Sequence, residues 1–124
     1  MPLVSLAALT ILDAGPAGQI RAAATAGFAA VGLRLHPLLA SDPEVAGTPL
    51  EDEVRDLMRE TGLSLLEIGV FPVKPGMDVE ALRPVLRLSG DLGGRFIVCP
   101  VEDADEARRL ATFRTLCDVA AESR

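Results

Sequence analysis

Apolar and polar positions fall into alternating blocks along this chain. Val4 to Leu12 is an apolar run of strand length. Its continuity suits a strand buried on both faces, as in parallel sheets. The turn DAGP follows, and Pro16 suits a first helical position. Ile20, Ala23, Ala24 and Phe28 then recur at roughly helical spacing, with Gly27 as a C-terminal stop. A second strand is expected over residues 29–36, where Val31, Leu33 and Leu35 alternate with Gly32, Arg34 and His36.

A loop from Pro37 to Gly47 carries two prolines, Pro37 and Pro43, that disfavour regular structure. The sequence Thr48-Pro49-Leu50-Glu51 reads as a capping box with proline at the first helical position. Leu50, Val54, Leu57 and Met58 form the apolar stripe of the helix it opens, and Gly62 closes it. A third strand is expected over residues 63–73. Asp78 then caps a helix with Val79, Leu82, Val85 and Leu86 inward, kinked or started late by Pro84. A fourth strand, 95–101, is followed by a helix capped by Asp103 or Asp105, with Leu110, Phe113, Leu116, Cys117 and Ala120 on its buried side.

The order is βαβαβαβα, and AGFAAVGL, TGLSLLEI and GGRFIVCP each place a glycine at a helix exit before an apolar strand. Such a repeat demands a parallel sheet with right-handed crossovers. The expectation is one α/β domain over residues 1–124. It is either a small doubly wound sheet or four βα units of a (β/α)8, TIM-barrel-like fold. The first βα turn, LDAGPAGQ, lacks G-x-G-x-x-G and a Walker lysine, so a nucleotide site is not expected there.

Composition narrows the partners. The net charge is −6 with a pI near 4.7, and aromatics are 3% of residues without Trp or Tyr. Neither a basic face nor a stacking platform for nucleic acid is expected. The N-terminal stretch lacks a basic signal-peptide region, and no apolar run has the length of a membrane span. A cytoplasmic protein with no membrane partner is the expectation, and the two cysteines, Cys99 and Cys117, read as free thiols.

The segments TAGFAAVGLRL, RETGLSLLEIGV and SGDLGGRFIVCPV resemble the xylose-isomerase-like TIM barrels, the sugar phosphate isomerases and epimerases related to endonuclease IV. The resemblance spans nearly the whole chain and matches the N-terminal half of a typical member. Gly32 stands where that family's second-strand motif commonly carries a glutamate. The resemblance implies a sugar or sugar phosphate as the small-molecule substrate. It also implies a divalent metal (Mn, Mg, Zn or Co) in the full-length enzyme, held by residues of the second half. No metal ligand and no cofactor are assigned to this chain, which is expected to be inactive alone. The competing expectation is a non-enzymatic half barrel that self-associates, or binds a partner, through open sheet edges.

Chemistry in such a barrel sits at the C-terminal ends of strands. There His36 and Glu67 are the candidate catalytic residues, and Arg34, Lys74 and Glu102 the candidate substrate-binding residues. On strand alternation, Gly32, Arg34 and His36 point inward from the second strand, and Leu65, Glu67, Gly69 and Phe71 from the third. Arg34 and Glu67 would then meet, either as a charge-satisfying pair or as polar groups on the floor of a sugar site. For Asp13, Lys74 and Glu102 the alternative is a solvated turn or helix cap.

Overall fold

A computed structural model describes residues 2–123; Met1 and Arg124, the ends of the expected domain, lie outside the described residues. Four parallel strands, β1 (Ser5–Leu6), β2 (Ala30–Leu33), β3 (Ser64–Gly69) and β4 (Phe96–Val98), form one sheet in the order β1-β2-β3-β4. Four helices follow them in turn: α1 (Gly15–Ala26), α2 (Pro49–Thr61), α3 (Arg83–Asp91) and α4 (Glu106–Ala121). The fold is α/β, and the strand order contains no reversal of the kind that opens a doubly wound ligand crevice.

Sequential parallel order with right-handed crossovers puts the connecting helices on one face of the sheet. The side chains agree. Arg21 of α1 bonds Glu53 of α2 at 2.8 Å, and Arg55 of α2 bonds Asp91 of α3 at 2.9 Å. Arg83 of α3 bonds Glu122, just past α4. Each helix is thus the neighbour of the next in a single layer. Beneath that layer lies the core, with Ile20, Val31, Leu33, Val54, Leu65, Ile68, Leu86 and Leu116 buried.

The first strand is much shorter than expected. Pairing covers only Ser5–Leu6, and Ala8–Ala14 winds into a 3-10 helix. A continuous apolar run does not separate strand from helix by periodicity, and Ala7, Ala8 and Leu9 carry no β-branch. The buried Gln19 fixes the turn, its side-chain amide donating to the Ala8 carbonyl at 3.0 Å. The other strands are also shorter than 29–36, 63–73 and 95–101, although ladder hydrogen bonds continue from Phe71 N–H to Val98 O and from Val73 N–H to Pro100 O.

The capping box does not form. The Thr48 hydroxyl donates back to the Val45 carbonyl at 2.8 Å, and Glu51 accepts from Gly47 N–H at 2.7 Å rather than from Thr48. Pro84 acts as a late start, sitting in the first turn of α3. Both candidate aspartates serve α4: Asp105 caps it through Arg108 N–H, and Asp103 holds the Arg108 guanidinium. The buried side of α4 is narrower than expected. Leu116 and Val119 are buried, whereas Leu110 and Phe113 are about half exposed and Cys117 is exposed. Its C-terminal end meets α3, where Ser123 O approaches Gly90 so closely that a Cβ there would lie 1.7 Å away. Its outer flank faces no further helix among the described residues.

Candidate functional site

Four of the five candidate residues, Arg34, His36, Glu67 and Lys74, gather at the C-terminal ends of β2 and β3, in two adjoining pockets. β2 leads into Arg34, Leu35 and His36, and β3 carries Glu67. Between Leu65 and Ile68, β3 has one more residue than β2 has between the facing Val31 and Leu33. This bulge breaks strict alternation. Leu65, Ile68, Phe71 and Val73 are buried. Leu65 therefore leaves the inward set, while Val70, expected toward the helices, joins Glu67 and Gly69 on the lining of the inner pocket.

That inner pocket, about 180 Å³, is walled by Ala7, Ala8, Leu9, Leu33 and Val98, with Arg34 and Glu67 as its charged groups. Arg34 is 6% exposed. The two do not pair. Arg34 Nη1 bonds Asp42 Oδ2 at 3.2 Å, and its buried Nε has no partner among the described residues. Glu67 has no hydrogen bond or ion pair among the described residues, and burial pushes its carboxyl above the usual range. The expected ion pair fails because a nearer acid is available. Asp42 sits only eight residues beyond Arg34, where the loop turns back. It also accepts from Leu38 N–H at 3.0 Å and Leu39 N–H at 2.9 Å. These bonds, that from Leu39 foremost, hold its carboxyl below the ordinary value.

The carboxyl of Glu67 fits against β2 because position 32 is glycine. A Cβ on Gly32 would lie 2.0 Å from Glu67 Oε1. The space left by the missing strand-2 side chain is filled by an acid from strand 3.

The outer pocket, about 280 Å³, is lined by His36, Leu38, Phe71, Lys74, Asp78 and Leu82, among others. The His36 ring stacks on Phe71, with centroids 6.0 Å apart, and its Nδ1 lies 3.7 Å from Glu44 Oε1. Lys74 and Glu102 form an exposed pair at 3.6 Å on the rim, and Glu102 lines neither pocket. The structure therefore brings Arg34 and Glu67 together in one pocket and His36 and Lys74 in the other. Asp42 is the functional neighbour that sequence reasoning missed. Its signal was the Asp-Pro step at 42–43, a turn-initiating pair.

No three His, Cys, Asp or Glu side chains converge on a possible metal position among the described residues. The residues present do not make a site for the divalent ion that the resemblance implies. No helix among them is long and apolar enough to cross a membrane. Neither a known family model nor a curated protein matches the chain.

Proposed function

We propose that this chain supplies four consecutive βα units of a (β/α)8 barrel of the sugar isomerase or epimerase type. Its open sheet face then forms one wall of a site for a sugar or sugar phosphate. The observation that carries this reading is the singly wound layer: strands in the order 1-2-3-4, helices bridged in succession, and neighbouring strand ends that bring Arg34, Glu67 and His36 to two adjoining pockets. In a closed barrel these strand ends are where substrate is held. Arg34 and Glu67 would bind hydroxyls on the floor, with His36 at the lip positioned for proton transfer. The divalent ion that the resemblance implies would be held by units outside this chain, where it would supply Lewis acidity.

The test is a screen of aldose–ketose interconversion and epimerisation, with Mn, Mg, Zn and Co, on the complete gene product beside the 124-residue chain. Turnover is expected where a closed barrel is present. No turnover in any preparation would overturn the reading.

A second reading, a half barrel that closes against another copy, is favoured by the sheet edges. Phe96 is 58% exposed and Val98 and Val101 are also exposed on the β4 side, with Leu3 and Val4 exposed beside β1. Apolar edges of this kind are ordinarily covered.

A further inference from the structure

One wall of the inner pocket is a segment with little to hold it. Ala7, Ala8 and Leu9 line the cavity together with Val98 of β4. They lead into the 3-10 stretch Ala8–Ala14, which is two turns joined at Ile11, whose φ of −139° and ψ of 53° are not helical. The first turn closes on one backbone bond, from Thr10 N–H to Ala7 O at 3.0 Å. No residue of the stretch is fully buried, and Leu9 is 69% exposed. A lone 3-10 turn has poorly aligned hydrogen bonds, and this one gains little from packing.

A single side chain of α1 holds it in place. Gln19 is 1% exposed, and its Nε2 donates to the Ala8 carbonyl at 3.0 Å and to the Ile11 carbonyl at 3.4 Å.

The same residues have a second place to go. Val4 to Leu12 is a run of strand length, and β1 already pairs Ser5 with Ala30 and Leu6 with Val31. Continuing that register sets Ala7 beside Gly32, Ala8 beside Leu33 and Leu9 beside Arg34. Strand alternation then turns Ala8 toward the helix side with Leu33, out of the pocket lining, and carries Thr10 and Ile11 beyond the end of β2. The extended form exchanges the Thr10–Ala7 bond for ladder bonds to β2 and gives up the Gln19 contact.

We propose that Ala7–Thr10 is a gate on the inner pocket, latched shut by Gln19 and opened by lengthening of β1. Entry to the pocket is then set by the population of the extended form. The gate regulates the site of the sugar reading and rests on that reading only for what enters.

The experiment is chemical-exchange saturation-transfer NMR on the amides and α-carbons of the full chain, without sugar. A minor state is expected over Ala7–Thr10, with the carbon shifts of extended chain. Gln19→Met removes the latch and should raise its population about fivefold, the equivalent of one hydrogen bond. Leu9→Val adds a β-branch at an exposed position and should raise it by a smaller factor. If Gln19→Met does not fold, Leu9→Val decides. A single state over Ala7–Thr10 would overturn the gate, and a minor state with random-coil shifts would overturn the lengthening of β1 as its open form. An unchanged population in Gln19→Met would overturn Gln19 as the latch. Each of these failures leaves the sugar reading to the turnover screen.

Discussion

The Glu67 carboxylate lies where a side chain on Gly32 would begin, 2.0 Å from the Cβ position of that glycine. A residue on one strand thereby decides whether a charged group on the next fits the sheet's open face. The fit is costly to the fold, because Glu67 is partly buried without a partner among the described residues.

That cost has a pH signature. Burial raises the folded pKa of Glu67 above its ordinary 4.5. The folded chain then holds this proton more tightly than the unfolded one, so stability falls as pH rises from about 4.5 to the raised value. Glu67→Gln removes the penalty. The variant should unfold at higher urea than the wild type at neutral pH, and the gap should close below about pH 4.5. A gap that does not change with pH would contradict the desolvation of Glu67.

Arg34 and Asp42 form the opposite case, a nearly buried pair in which each acid oxygen or guanidinium left alone is penalised. Asp42→Ala strands the guanidinium and two loop amides, and should cost about 3 kcal/mol in urea unfolding. Asp42→Asn, which retains an amide acceptor, should cost less. Because the folded pKa of Asp42 is lowered from 3.8, its contribution is present above that pH and is lost as pH falls below it.

The two thiols should differ in reactivity. Burial pushes Cys99 up to about 11, while Cys117 is exposed on α4. Near pH 8, iodoacetamide should modify Cys117 well before Cys99, as read by peptide mass spectrometry. Equal rates would show that β4 opens readily to solvent.

The sheet edges carry their own expectation. If two copies close against each other, β4 of one meets β1 of the other. Phe96→Lys should then abolish concentration-dependent association in sedimentation equilibrium, and Val4→Lys should do the same from the other edge. A wild-type chain that stays at its monomer mass of 13.0 kDa at all concentrations would remove the self-association reading.

Much of the architecture was legible in the sequence because it rests on local signals. Gly27 and Gly62 end helices with left-handed backbone, and the apolar blocks between such stops became strands in chain order. What was not legible depends on contacts distant in sequence or on one-residue shifts. The fate of Ala8–Ala14 turned on a hydrogen bond from Gln19. The lining of the pocket turned on the bulge between Leu65 and Ile68, which no alternation rule places. The Arg34 partner turned on how the loop to Asp42 folds back, and the exposure of Leu110 and Phe113 on the absence of a neighbour beyond α4 among the described residues. Glu67 was identifiable as a strand-end acid, but its seat over Gly32 required both strands in register.

Sugar binding at the ends of β2 and β3 is read out by saturation-transfer NMR. The chain and the complete gene product would each be mixed with D-xylose, D-fructose and their phosphates. Saturation is expected to reach the carbon-bound protons of the sugar and to be lost with Glu67→Gln. No transfer to any sugar or sugar phosphate, from either protein, would contradict it.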